Sequence, residues 1–551
     1  MQISPHSLPP SLRLPLELKD AICRDAGLRK KDLARLALTC RSWYIPANVI
    51  LWESINGLGP LLALMPEGTW NGMEITTLEG SLYEDDPPLT VEHWTPVLRL
   101  SLLVKEIRLN DVTRTIQRRV MQYPPPTTLF PSLRSLTIDM WKASNELGPL
   151  NGLAAAHLIF LRAIIPQTLQ TLTLVDAPKL FDILPLFSRL ESLVIQAPHA
   201  ALHVLNNGSH HGKALTSIVQ CISCCGNLSW VRLDLPFGRR PELMEALARL
   251  SGLEHLRVWF CRPEQWHGRQ PTYPDHAFPA LRSLELRSLS FFDAAILLKS
   301  RQKRRMTNIE VFSDDPETPE SLALFTAHVK QYCTPVTLRR IRLALNDPSS
   351  RWPISFAPIA PLMAFRNLRN VRFSLFCGVH ITEAEWQLIG QSWPRLQSLT
   401  MRPRFFDDPS NAQPSCSLAT LGTIARHCPE LKTITLALDA TVLPKIEALN
   451  VVKNRRMVIT VTPPLQDIVA AEPVVQYLQG VFGHRVKVNL QLRSSELEAG
   501  VDREIRRRRL QWDMVSLWTS GTYLDSLGMP IRGQAYMAAK SIVQMNHYEA
   551  Y

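Results

Sequence analysis

The chain has 551 residues, 46% of them hydrophobic and 20% charged, enough apolar content for a large core and enough length for more than one structural unit. No uninterrupted apolar run reaches the roughly 20 residues of a bilayer-spanning helix, so no membrane partner is expected; the most apolar stretch, 150–166, is broken by Asn151, His157 and Arg162 and reads as a buried helix. A formal charge of +12 attracts nucleic acid, anionic lipid or acidic protein segments without choosing among them.

The first fifteen residues, MQISPHSLPPSLRLP, show no charged region followed by an apolar core, so no secretory signal is expected. From Leu14 to Trp52 the spacing predicts a pair of short amphipathic helices. Pro15 suits a first helical turn, where its missing N–H costs nothing. Leu18 and Ile22 share a face at i, i+4, and Gly27 can stop the helix in a left-handed conformation. Asp32 is a good N-cap for the second helix. Behind it Leu33, Leu36, Ala37, Cys40 and Tyr44 form one apolar stripe. Periodicity alone leaves a cap on the main domain and a docking module equally open.

These residues resemble an F-box. Leu14-Pro15 and Glu17-Leu18 match its opening and Ile22 its first-helix anchor; Asp32-Leu33, Leu36, Cys40-Arg41-Ser42-Trp43 and Leu51-Trp52 match its second half. Cys23 stands where such motifs carry a bulky apolar residue, and Ala26 replaces the usual large residue at the end of the first helix. Both departures weaken the expected partner-facing surface.

From about residue 100 a phrase L-x-x-L-x-L recurs, as in Val104/Ile107/Leu109, Leu169/Leu172/Leu174, Leu281/Leu284/Leu286, Leu338/Ile341/Leu343 and Leu431/Ile434/Leu436. The copies lie about 21 to 38 residues apart, roughly 30 on average, at or just above the range of leucine-rich repeats. Each phrase predicts a short strand, followed by a returning loop or helix, that buries its face only by stacking on neighbours. The lead-ins Phe130-Pro131-Ser132-Leu133, Phe278-Pro279-Ala280-Leu281, Trp393-Pro394-Arg395-Leu396 and Cys428-Pro429-Glu430-Leu431 nearly repeat one another. Helices are expected at 241–250, 382–390 and 468–482, and further strands at 458–461 and 486–490. A charged helix at 494–518 is expected to cover the last open face. Segments 58–65 and 70–78 are expected to join the helices to the first repeats.

Cys221-x-x-Cys224-Cys225, with His199, His203, His210 and His211 upstream, is the one metal-like spacing. It lacks a second paired-cysteine element, and 213–225 has helical periodicity, so buried repeat-helix thiols are expected and no metal or other cofactor. The basic runs Lys303-Arg304-Arg305 and Arg506 to Arg509 suit either an import or nucleic-acid patch or a solvated helix face. No aromatics interleave with them, which makes nucleic acid an unlikely partner. No phosphate-binding loop, nucleophile elbow, metalloprotease pair or dinucleotide glycine cluster is present, and no enzyme is expected. Ten cysteines without a regular framework suggest reduced thiols in an intracellular compartment, cytoplasm and/or nucleus.

The combination resembles F-box/leucine-rich-repeat proteins, and the wording Trp43-Tyr44 and Leu51-Trp52-Glu53-Ser54-Ile55 looks like fungal members. The expected fold is α/β: short all-α F-box helices (11–56), a connecting segment (57–100), a divergent solenoid or horseshoe (101–492), and a helical C-terminal cap and tail (493–551). The resemblance implies a substrate-receptor subunit of an SCF-type cullin–RING ubiquitin ligase, bound to the Skp adaptor and through it to cullin, with a target protein on the repeats. The partner-binding positions it carries over are Leu14, Pro15, Leu18, Ile22, Leu33, Leu36, Cys40 and Trp43, divided between partner surface and module core. Arg134, Arg257, Arg282, Arg339, Arg340, Arg342, Arg369 and Arg372 are expected to line a basic inner face. The alternatives are a binding scaffold whose F-box no longer joins a ligase, and a basic nuclear or RNA-associated repeat protein.

Overall fold

The computed structural model describes residues 14–66, 69, 88–110, 120–139, 160–196, 208–260, 266, 269–347, 352–403, 416–444, 456–490 and 511–519, apart from a few positions inside those ranges. The expected strand at 70–78 and the basic run Arg506 to Arg509 lie outside the described residues, as does most of the expected helix at 150–166. The chain divides into two compact units, Met1–Thr272 and Tyr273–Tyr551.

The first unit opens with three helices, α1 (Leu16–Cys23), α2 (Lys30–Thr39) and α3 (Arg41–Glu53). The single stripe expected from Leu33 to Tyr44 is split, because Cys40 is extended (φ −166°, ψ 163°) and ends α2 as it starts α3. Asp32 is not the N-cap of α2. Arg29 is, and the Asp32 carboxylate, one turn in, accepts the Arg29 backbone N–H at 3.2 Å. Leu28 and Leu33, flanking that cap, belong to one apolar cluster, the hydrophobic-staple arrangement that fixes a helix start. Gly27 does not stop α1 in a left-handed conformation; α1 ends at Cys23, and the Gly27 N–H donates to Asp25 Oδ1 at 2.9 Å in the following turn.

No linker separates α3 from the repeats. Its last residue runs directly into β1 (Ser54–Asn56), which pairs in parallel with β2 (Glu106–Asn110). Glu53 receives Lys105 Nζ at 2.8 Å and Arg24 at 3.0 Å, so one carboxylate ties α1, α3 and the first repeat together. The hydrogen bond from Lys105, more than its charge, draws the Glu53 carboxyl below its ordinary range. Gly57 follows β1 at φ +74°, a left-handed conformation that favours glycine, and its N–H reaches the Arg108 carbonyl at 2.7 Å.

Parallel strands then follow in chain order: β3 (Ser135–Asp139), β4 (Thr171–Val175), β5 (Ser192–Gln196), β6 (Trp230–Leu235) and β7 (His255–Phe260). Ile107, Leu136, Leu172, Leu193, Val231 and Leu256 lie in one register row, the middle leucine of the expected phrase in each repeat. The second unit repeats this with β8 (Ser283–Arg287), β9 (Asn308–Ser313), β10 (Arg340–Leu345), β11 (Asn370–Leu375), β12 (Ser398–Pro403), β13 (Thr433–Leu436), β14 (Met457–Val461) and β15 (Val486–Leu490). Its row runs Leu284, Ile309, Ile341, Val371, Leu399, Ile434, Ile459 and Val488. Along strands such as β4 and β8 the residues between the apolar positions are partly exposed, so one side of the strands is core and the other is more solvated, although Asp234, Phe312 and Ser374 near strand ends on that side are buried.

The lead-ins work as buried anchors. Phe130, Cys225, Phe278, Phe365, Trp393 and Cys428 are buried, and the carbonyl of each accepts the N–H three residues on, at 3.0–3.3 Å, turning the chain into the next strand phrase. A Cys or Trp there also bonds backward. Cys225 Sγ donates to Phe187 O (2.9 Å), Cys428 Sγ to Trp393 O (3.5 Å), and Trp393 Nε1 to Leu362 O (3.1 Å). Side chains of the lead-in thus satisfy carbonyls of the preceding repeat.

Helices form close to the expected places, at Pro241–Ala248, Glu383–Ser392 and Ala471–Phe482. Of the expected C-terminal helix the described part, 511–516, is helical. Its Ser516 hydroxyl donates to Val488 O at 2.6 Å, and Thr519 Oγ1 accepts the Val488 N–H at 2.9 Å. The outer edge of β15 is thereby covered rather than left open.

One residue in the first unit is stored under strain. Asp176, just after β4, is buried at φ +51°, and among the described residues neither carboxylate oxygen has a hydrogen-bond partner. Burial first, then Asp139, pushes its pKa from 3.8 to about 6. Because the folded value lies above the ordinary one, the stability linked to the neutral form is complete below about 3.8 and lost as pH rises through about 6. Asp176→Asn keeps the shape, tolerates the left-handed backbone and never ionises. It is expected to stabilise the protein by about 1 kcal/mol at pH 7.5 and by much less at pH 4.5. Denaturant midpoints that shift equally at both pH values would count against this account.

Candidate docking surfaces

The eight residues carried over from the N-terminal resemblance separate by burial. Leu33 and Trp43 form the module core with Cys23, Ala37 and Ala47, and Leu14, Leu36 and Cys40 pack half-buried against it. Pro15, Leu18 and Ile22 face outward, Leu18 at 51% and Ile22 at 41% exposure. Cys23, expected to weaken a partner-facing surface, points inward instead and fills the core; Ala26 lies outside the described residues. Lys19, on the buried side of α1, holds its ammonium 5.8 Å from the centre of the Trp43 ring, which pins α1 onto α3.

Sequence reasoning missed part of this surface. Leu38 is 85% exposed at the end of α2, and Tyr44 and Ile45 are exposed near the start of α3. Tyr44, which by spacing continues the inward stripe, is turned out by the break at Cys40. Exposed large apolar side chains therefore stand on α1 and around the α2–α3 corner, as a protein-docking surface requires.

The second surface is the solvated side of the strands. Of the arginines expected there, Arg257, Arg340, Arg342 and Arg372 do lie on strands. Arg134, Arg282, Arg339 and Arg369 do not: each sits one residue before a strand, where its carbonyl accepts backbone N–H groups of the next repeat. Nor is the face uniformly basic. Asp234 pairs with Arg232 (2.8 Å) and Arg257 (3.3 Å), Glu285 with Arg287 (2.7 Å), and Glu310 lies 3.8 Å from both Arg340 and Arg342. Arg287 and Arg342 both stack on Phe312, at 4.7 and 4.6 Å. In the first unit Trp230 stacks on His255 at 4.6 Å and remains 46% exposed. Mixed charge with aromatic anchors is the composition of a protein-binding surface.

The three thiols of the metal-like spacing do not converge. Cys221 and Cys225 are buried with their sulfurs 3.9 Å apart, while Cys224 is exposed. His199 and His203 lie outside the described residues. No helix among the described residues is long and apolar enough to cross a membrane.

Residues 11–56 match the F-box-like family. No curated protein matches the sequence. Among solved structures, one described as the crystal structure of the Rad7 and Elc1 complex in yeast is 12% identical over 78% of this chain and 91% of that chain, with a TM-score of 0.33. The protein carries an F-box-like domain followed by a leucine-rich-repeat-like stack of parallel strands.

Proposed function

We propose that this protein is the substrate-receptor subunit of an SCF-type cullin–RING ubiquitin ligase. In this reading Leu18 and Ile22 on α1, with Leu38, Tyr44 and Ile45 at the α2–α3 corner, dock a Skp-type adaptor and through it cullin. The solvated strand faces hold the target protein. The observation that carries the reading is the F-box-like match on helices that leave these large apolar side chains exposed. The continuous passage from α3 into β1 supports it, since it makes the first repeats a rigid extension of the docked module. The protein would then act by proximity, raising the effective concentration of target lysines beside the charged conjugating enzyme.

The test is capture of a purified Skp-type adaptor by the intact protein. Leu18→Asp combined with Ile22→Asp is expected to weaken capture at least thirtyfold, because each aspartate places an unpaired charge in an apolar contact. Melting temperature should stay unchanged. An intact protein that captures no adaptor would leave the alternative of a binding scaffold outside any ligase.

A further inference from the structure

Strands β9, β10 and β11 of the second unit carry more positive charge than their own carboxylates offset. Arg340 and Arg342 stand two positions apart on the solvated side of β10, and Arg372 of β11 is the register partner of Arg342. Glu310 is the only carboxylate on these three strands. It lies 3.8 Å from Arg340 and from Arg342, beyond hydrogen-bond distance. The Nε of Arg342 is buried without a partner. Arginines on other strands are held more closely. In the same unit Arg287 reaches Glu285 at 2.7 Å, and in the first unit Arg108 reaches Asp139 at 2.9 Å and Arg232 reaches Asp234 at 2.8 Å. The contrast singles out β10.

Arg342 is nevertheless fixed in place. Its guanidinium stacks 4.6 Å from the centre of the Phe312 ring, which also carries Arg287 at 4.7 Å. A guanidinium already held flat on a ring loses little further freedom when it binds. Arg342 and Arg372 also set like charges on neighbouring strands, about 4.8 Å apart in the hydrogen-bonding direction, a repulsion that an arriving anion relieves.

Within the reading of the strand faces as the target-binding surface, we propose that this patch binds an extended acidic segment of the target protein. Asp or Glu carboxylates would sit on Arg340 and Arg342, with Arg372 adding to the field. Guanidinium forks match carboxylates in bidentate geometry. Alternate side chains of an extended segment are roughly 7 Å apart, the same step that separates positions 340 and 342 along β10. Glu310 favours carboxylate over phosphate, because its charge beside both forks repels a dianion more strongly. Nucleic acid is disfavoured, since Phe312 is buried against two guanidinium groups and offers no face to a base.

A fluorescent peptide of alternating glutamate and serine, titrated into the intact protein at fixed ionic strength, is the probe. Saturable binding is expected, weakened about tenfold by Arg340→Gln and further by Arg340→Gln combined with Arg342→Gln. The Arg340 side chain is mostly exposed, so its exchange leaves the fold intact. Glu310→Gln should tighten binding by removing the competing carboxylate. Lys330→Gln, an equal change of charge on a helix of the same unit, should leave binding unchanged. No saturable binding, indifference to the double arginine variant, weaker binding with Glu310→Gln, or an equal loss with Lys330→Gln would overturn the proposal. Tighter binding of a phosphoserine peptide or of oligouridylate would also overturn it, in favour of a phosphorylated segment or a nucleic acid. Adaptor capture by the same variants keeps the two readings apart. Adaptor captured without peptide binding refutes the acidic segment alone, and peptide bound without adaptor capture refutes the ligase reading alone.

Discussion

Trp43→Ala is expected to unfold the N-terminal helices, whereas Ile22→Asp should leave them folded and remove only their partner. Both positions belong to the same motif string, yet the structure gives them opposite roles. Trp43 is 8% exposed and sits with Cys23, Leu33, Ala37 and Ala47 in a single small cluster. Truncating a buried tryptophan costs about 3–5 kcal/mol, part transfer and part cavity. A module of some forty residues cannot bury enough apolar surface to absorb that loss. The neighbouring sheet has its own core and should survive, so the unfolding is local. Ile22 is 41% exposed, and a charge there meets water in the free protein. Amide hydrogen exchange over 16–53 separates the cases: protection lost in Trp43→Ala and retained in Ile22→Asp. Protection retained in both would show that the tryptophan does not hold the module together.

Arg304→Met is expected to destabilise the second unit by about 3 kcal/mol, although it removes a costly buried charge. The competing terms have opposite signs. Burial pushes the Arg304 pKa down to about 10, so the charged form pays for its desolvation. Replacing a buried ion by a similar apolar side chain is therefore often neutral. Here the ion is not paired with another ion. It bridges the Ala277 carbonyl of the lead-in to β8 and the carbonyls that end the helix Phe291–Leu298. Its own backbone continues the linkage, with its N–H on Tyr332 O and its carbonyl accepting from Thr334, both at 2.8 Å. Methionine would leave these side-chain-bonded carbonyls buried without donors, at about 1–3 kcal/mol each in the worst case. That sum exceeds the desolvation recovered. Arg304→Lys, with one compact ammonium instead of a fork, should fall between the two. Chemical unfolding would measure both variants, and an Arg304→Met protein as stable as the parent would show that the carbonyls are satisfied another way.

How far the sequence was legible depends on the kind of signal. The strand phrase is written with period two and buried on one side. Its leucines therefore appear in the structure as a register row, down to the weak copy at Met306/Ile309/Val311. The F-box wording was equally readable, and its family match falls on the same helices. Asp32 as a cap and Gly27 as a stop are natural readings of the sequence that the structure does not follow, because both depend on backbone angles that several nearby residues could adopt. The break at Cys40 carries no glycine or proline to announce it, and it alone turns Tyr44 and Ile45 outward. The basic face was overread, since arginine one residue before a strand looks identical in sequence to arginine on it.

By itself, then, the sequence determined the repeat, the N-terminal module and the absence of long apolar spans, because each is a matter of periodicity or local composition. Only the tertiary structure decided which motif residues are core and which are surface, that Glu53 fastens the module to the first repeat, and that Arg304 of an apparently solvated basic run is buried. Burial is set by what packs from elsewhere in the chain. Lys303 and Arg304 are adjacent in sequence, yet one lies in solvent and the other is held by four carbonyls.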